Sequence, residues 1–240
     1  MSLPFQFKRF LVEQCTGVHP VGTDGVLLGA WADTTQARTI LDIGTGTGLL
    51  ALMLAQRLEH QSDFSIHAVE ILPVACACAQ GNFARSPWPG QMVVIEQRIQ
   101  DFATTTGVRF DLIVSNPPFF SETTRSPDPN RRQSRNAMTL GVKDLLETAK
   151  HLVAPKGRFC TILPYREAQF LQEQGALAGL YCTRLTNVFS RKGKPVERLL
   201  VQLERNPYRY IRTDLIIQEP GGAYSNDFRE LTASFYANSR

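Results

Sequence analysis

No stretch of this 240-residue chain stays apolar for the roughly 20 residues that a membrane-spanning helix needs, so no helical span is expected. Its first residues, Met1-Ser-Leu-Pro-Phe-Gln-Phe-Lys-Arg9, lack the uninterrupted apolar segment and small-residue cleavage site of a secretory signal. A cytoplasmic protein is the expectation. Cysteine is scarce and unpatterned. Cys15, Cys76, Cys78, Cys160 and Cys182 are odd in number and include no Cys-x-x-Cys pair, so all five read as reduced packing residues. Cys76 and Cys78, two apart on an expected helix, face different ways. His19, His60, His67 and His151 show no metal-ligand spacing, and no metal is expected. Neither sign of charge dominates: 26 lysines and arginines against 22 acids give a net charge of +4, too mild to name a partner. There is no internal repeat and no low-complexity tract.

What remains is an ordinary globular composition, 43% hydrophobic and 20% charged, long enough for one domain with a substantial core. Strand and helix patterns alternate from residue 39 onward. Strands are expected at 39–42, 65–70, 92–96, 110–115, 158–163, 181–189 and 196–204, and helices at 49–58, 73–85, 142–152 and 166–178. The last two strands, joined by a basic turn at 190–195, read as a hairpin. The alternation predicts an α/β fold: a mostly parallel seven-stranded sheet, covered on both faces and ending in an antiparallel hairpin. We expect a single domain over 1–240, acting as a monomer, with an N-terminal extension (1–38), a core (39–205) and a C-terminal extension (206–240). The aromatics of that last segment, Tyr208, Tyr210, Tyr224, Phe228, Phe235 and Tyr236, are expected to pack on the core.

Two motifs carry chemistry. The first is Asp42-Ile-Gly-Thr-Gly-Thr-Gly48, between the first strand and its helix. A dinucleotide fingerprint would be Gly-x-Gly-x-x-Gly, but Gly44, Gly46 and Gly48 are followed by Leu49. The helix start favours an anion in either case, so the acids decide. Glu70 ends the second strand, where a carboxylate can take both hydroxyls of a ribose. Asp101 and its neighbour Phe102 follow the third strand, where a carboxylate or backbone group can meet an adenine amine. Asp42 stands at the tip of the first strand, near a cofactor's cationic end. Three carboxylates suit a sulfonium cofactor and not a pyrophosphate. S-adenosylmethionine is therefore the expected cofactor.

The second motif is Asn116-Pro117-Pro118-Phe119, at the end of the strand 110–115. Pro117 forces Asn116 toward an extended backbone, and two prolines supply no N–H. What remains is acceptors, the Asn116 side-chain oxygen and the Pro117 carbonyl, which can grip an exocyclic amine while Phe119 stacks on its base. That is a site for methylating a planar amino nitrogen, with Asn116 also bordering the cofactor. No strong base is needed, because the methylated product sheds its proton readily. A long polar segment, 121–137, follows. Its Arg125, Arg131, Arg132 and Arg135 form one basic group, Arg191, Lys192 and Lys194 a second, and Lys8 and Arg9 a third. Next to a base-binding site, three such groups point to RNA.

The chain resembles the class I, Rossmann-like amino-methyltransferases, and among them the bacterial tRNA(Val) adenine-N6 methyltransferases that act on the adenine 3′ to the anticodon. The likeness rests on Val21-Gly-Thr-Asp-Gly-Val-Leu-Leu-Gly29, the glycine loop and Asn116–Phe119, supported by Arg191-Lys-Gly-Lys-Pro-Val-Glu-Arg198 and Tyr224-Ser-Asn-Asp-Phe-Arg-Glu-Leu231. It implies that Thr23, in the first of these motifs, also belongs to the cofactor site, and that the RNA substrate is a tRNA. Two neighbouring families remain as alternatives. Ribosomal RNA guanine-N2 methyltransferases usually carry His where this chain has Phe120, and the glutamine-N5 methyltransferases of release factors carry an extra N-terminal domain.

Overall fold

Apolar residues alternate along the central strands, and each alternate set is buried on a different side of one sheet. In the computed structural model, which describes residues 3–61, 63–117 and 141–236, Ile40, Ile66, Leu112 and Ile162 belong to one core and Leu41, Val69, Ile113 and Phe159 to the other. Strands buried on both faces need a helical layer on each side. One face is covered by α1 (Thr23–Trp31), α2 (Leu49–Leu58), α3 (Pro73–Ala84) and α7 (Asn226–Thr232). The other is covered by α4 (Ile99–Thr105), α5 (Val142–Leu152) and α6 (Tyr165–Leu177).

A short antiparallel pair, β1 (Phe5–Gln6) and β2 (Leu11–Val12), precedes the main sheet. That sheet contains β3 (Thr39–Ile43), β4 (Ser65–Glu70), β5 (Met92–Glu96), β6 (Phe110–Ser115), β7 (Val153–Pro164), β8 (Tyr181–Arg191), β9 (Arg198–Glu204) and β10 (Ile211–Gln218), in the order β10-β8-β9-β7-β6-β3-β4-β5. Only β9 is antiparallel to its neighbours. The expected class and closing hairpin are present, with eight strands in place of seven. The extra strand, β10, comes from the C-terminal extension and joins β8 in parallel. Its first four residues are exposed and include Arg212 and Asp214, so it lacks the apolar pattern of a buried strand.

This topology sets where a ligand goes. The chain steps from β3 outward to β4 and β5, then returns to β6 on the opposite flank of β3. The loops after β3 and β6 therefore diverge, opening a crevice at the carboxyl edge of the sheet. Both motifs lie there: the glycine loop follows β3, and Asn116 follows β6. Because β9 runs the other way, its first residue, Arg198, lies at the same edge. Among the described residues, no helix is long and apolar enough to cross a membrane, and no group of His, Cys, Asp and Glu is arranged to hold a metal ion.

Candidate active site

The glycine loop is shaped by backbone geometry. Gly44, Gly46 and Gly48 have φ of 71°, 57° and 83°, the left-handed region that side chains disfavour. Gly44 and Thr45 donate their N–H groups to the Val69 carbonyl, which ties the loop across to β4. Gly48 meets a second constraint: a Cβ there would lie 2.5 Å from the Phe83 ring. Asp42 is wholly buried, and its Oδ2 accepts from Thr45 Oγ1 at 2.6 Å. Its Oδ1 is buried without a partner. Loss of water, with Glu70 adding repulsion, pushes the carboxyl up to about 7. Through Thr45, Asp42 braces the glycine loop from below.

Glu70 stands at the end of β4, nearly buried. Its Oε2 accepts from the Gly46 N–H at 3.1 Å and its Oε1 from the N–H groups of Ile71 and Leu72 at 2.8 and 3.0 Å. The carboxylate is thus fixed against the glycine loop, with one of its about four lone-pair sites, on Oε2, left open. Asp101 is exposed in the first turn of α4, five residues beyond the end of β5 at Glu96. Phe102 departs from expectation. Its ring is buried among core aromatics, 6.4 Å from His67 and 6.2 Å from Phe110, and its N–H is used by the Arg98 carbonyl. It is a core residue, since the helical turn that exposes Asp101 directs the next side chain inward.

Asn116 is half-buried and Pro117 buried. Ser115, just before them, is pinned from both flanks: its Oγ donates to the Ile43 carbonyl at 3.0 Å, and its carbonyl accepts from Thr161 Oγ1 at 2.8 Å. The Val21–Gly29 motif meets this point through Gly25. A Cβ on Gly25 would fall 3.6 Å from Asn116 Nδ2 and 2.8 Å from Leu49 Cδ2, so glycine lets α1 close on both motifs. Thr23, two residues earlier, is exposed at the start of α1. Pro118 and Phe119 lie outside the described residues.

The basic groups separate. Arg191 ends β8 and Lys192 and Lys194 follow it, all three exposed at the same edge as Asn116. Arg125, Arg131, Arg132 and Arg135 lie outside the described residues. Lys8 and Arg9 are drawn into structural contacts elsewhere. Lys8 Nζ donates to the Ala233 carbonyl, and Arg9 pairs with Glu59 just past the far end of α2. The structure does not bring them to the site.

Three contacts were missed from sequence. Asn82, buried on α3, accepts from the Glu13 N–H at 2.9 Å and donates to the carbonyls of Glu13 and Thr47 at 3.1 and 2.8 Å. It clamps the N-terminal segment and the glycine loop onto one helix. An asparagine in the interior of an apolar helix, where it is a poor former, was the available signal. Asp24 pairs with Arg198 at 3.1 Å, joining α1 to β9 beside the site. Cys15 and Cys78 form a disulfide, which corrects the expectation of five reduced thiols. The two-residue offset that turns Cys76 toward the Glu70 carbonyl turns Cys78 toward the segment Asn82 holds.

A cleft of this kind is common to many enzymes of one fold, so similarity to known proteins decides the family. Residues 22–164 match the family described as methyltransferase small domain. The tRNA1(Val) (adenine(37)-N6)-methyltransferase of Aliivibrio salmonicida is 41% identical over 238 residues, covering 99% of each chain. That of Photorhabdus laumondii is 38% identical over 232 residues, covering 97% of this chain and 94% of its own. The chain belongs to this methyltransferase family. Solved structures agree on the fold. A predicted O-methyltransferase from Agrobacterium tumefaciens superposes with a TM-score of 0.64 at 21% identity, covering 91% of this chain and 99% of its own. TrmK of M. capricolum, solved with S-adenosyl-homocysteine, gives 0.54 at 13% identity, covering 82% and 72%. Family membership accounts for the acidic crevice, the glycine loop and Asn116 lying at one switch point.

Proposed function

We propose that this chain transfers a methyl group from S-adenosylmethionine to N6 of adenine 37 in tRNA1(Val), acting as a monomer in the cytoplasm. The observation that carries the reading is the meeting of Asn116 with the glycine loop and Gly25 at the β3/β6 crevice, in a chain with near-full-length relatives of that name. The residues present fit the cofactor. Glu70 offers its remaining Oε2 lone pair to a ribose hydroxyl, the three glycines let backbone approach closely, and Asp101 lies outward where an adenine amine can reach it. Thr23 flanks the same entrance. Glu70 favours a cation in the crevice, and Asp42 braces the glycine loop beside it through Thr45.

When bound, S-adenosylmethionine supplies an electrophilic methyl on a sulfonium. The chain's own residues address the nucleophile. The adenine amine is poor because its lone pair is delocalised into the ring. Asn116 Oδ1 and the Pro117 carbonyl accept its two N–H bonds, orient the nitrogen and stabilise positive charge as it develops. The proton then leaves an acidic ammonium-like product without a strong base. Phe119 holds the plane of a base splayed out of its loop, with Pro118 denying the turn an N–H donor. Arg191, Lys192 and Lys194, with the arginines of 125–135, engage the flanking phosphates.

Asn116→Ala is expected to keep its cofactor affinity by calorimetry while turnover on tRNA falls by about 10²–10³. Nucleoside mass spectrometry tests the product, using RNA from a strain lacking the protein incubated with labelled methyl donor. N6-methyladenosine confined to one tRNA supports the reading. N2-methylguanosine in ribosomal RNA, or label on a protein, overturns it.

A further inference from the structure

The C-terminal extension does not pack its aromatics uniformly. Phe228 and Phe235 are buried as expected, but Tyr208 is 86% exposed and Tyr210 54%. They belong to a run, 206–214, in which every residue is exposed. Arginines are interleaved with them: Arg205, Arg209 and Arg212. Arg205 is an anchor, its Nη2 donating to the carbonyls of Lys150 and Val153 at the amino edge of the sheet. Arg209 is exposed, and Arg212 Nη2 reaches Asn187 Oδ1 at 3.4 Å. The local acids are already engaged. Glu204 Oε1 accepts from Thr183 and Gln202, and Asp214 Oδ1 accepts from Asn187. Those donors are uncharged, so the sign rests on number: three arginines against two acids leave the patch net positive beside solvated tyrosine rings.

Tyrosine rings stack on any base, and arginines meet phosphates, so aromatic–basic interleaving suits RNA. A second copy of the chain pairing along the free edge of β10 fits less well, because Arg212 and Asp214 blunt that edge. The patch begins β10, whereas Asn116 lies at the edge where β10 ends, so the two are separated by about 23 Å along the strands and by four strand spacings, about 19 Å, across them. We infer that residues 205–212 form a second RNA-contact surface. Arg209 and Arg212 hold phosphates, and Tyr208 stacks on an unpaired base, in a part of a folded RNA remote from the loop bearing the target adenine. This rests on the RNA-methyltransferase reading and deepens it: the enzyme measures a folded tRNA as well as a loop.

The test compares full-length tRNA1(Val) with a short hairpin carrying the same loop on a truncated stem. The paired substitution Tyr208→Ala/Arg209→Ala touches only exposed side chains. It is expected to weaken binding of the full-length tRNA about tenfold and to leave hairpin binding and cofactor affinity unchanged. Removing Arg209 and Arg212 together should lower the log–log salt slope of tRNA binding by about 0.9 per phosphate released. A loss of fold would not alter that slope selectively. Unchanged affinity for full-length tRNA, or equal losses on both RNAs, would overturn the inference. So would light scattering in which the parent is a dimer and the paired variant a monomer. Binding is read without turnover, so a parent that binds tRNA through this patch yet methylates none would sink the catalytic reading alone.

Discussion

Asp42 and Glu70 lie one strand apart at the same crevice, yet their environments assign them different work. Glu70 is held by three backbone N–H groups, which fix it against the glycine loop. Asp42 is wholly buried, and the loss of solvation outweighs its hydrogen bond from Thr45, so its carboxyl rises from 3.8 to about 7. The native state therefore keeps a proton that the unfolded chain releases well below pH 7. Stability from that proton is full below about pH 4 and is lost as pH rises through 7. Asp42→Asn keeps an acceptor for Thr45 and removes the charge. In cofactor-free protein its Tm is expected to exceed the parent's by about 3 °C or more at pH 8 and to match it near pH 4. A difference independent of pH in scanning calorimetry would show that Asp42 is not protonated in the way its burial dictates.

At the scale of the element, the turn from β3 into α2 depends on glycine for two separable reasons. Gly44 has a left-handed backbone, but a Cβ there would meet nothing within 4 Å. Gly48 has the same backbone demand and faces Phe83, a buried ring that cannot withdraw. Gly44→Ala is expected to lose about 1–2 kcal/mol, the backbone term alone. Gly48→Ala adds overpacking of about 1–3 kcal/mol. Urea midpoints read the contrast, and equal losses at the two positions would remove Phe83 from the account. The segment before α1 is tied down as firmly, by Asn82 and by the Cys15–Cys78 disulfide. Without reductant, denatured protein is expected to titrate three thiols, and with reductant five. Cys15→Ser and Cys78→Ser should each lower stability by up to about 4 kcal/mol, given the 63-residue separation, and the double variant no further. Five thiols without reductant would refute the pairing.

Taken whole, the molecule presents one edge of its sheet to chemistry and, by our inference, uses the opposite edge to sense the rest of the RNA. The carboxyl edge collects Glu70, Asn116, Arg191, Lys192, Lys194 and Arg198, because seven strands run in one direction and β9 starts where they end. The amino edge collects Arg205, Tyr208 and Tyr210, because the chain must return there before β10 can run parallel to β8. Parallel addition of the last strand is what separates the two surfaces by a strand's length.

The sequence by itself determined the class of fold and most of the sheet. Apolar runs bounded by turn residues and helical stretches mark the seven core strands, and strands such as Ser65–Glu70 and Phe110–Ser115 have the bounds their patterns imply. It also determined the two motifs, since Gly-x-Gly-x-Gly and Asn-Pro-Pro-Phe need particular backbones that few other residues provide. Tertiary structure decided what depends on neighbours distant along the chain. The fates of Asp101 and Phe102 diverge because one turn of α4 sends adjacent side chains to opposite environments. Lys8 and Arg9 leave the substrate surface because Ala233 and Glu59, far off in sequence, claim them. Cys15 meets Cys78 where Asn82 also ties the same two segments together. The edge strand β10 escaped notice because a strand packed on one side carries polar residues that read as loop. Periodicity records which residues face a core; it does not record which partner each will meet, because that is set by packing between elements whose separation along the chain carries no local signal.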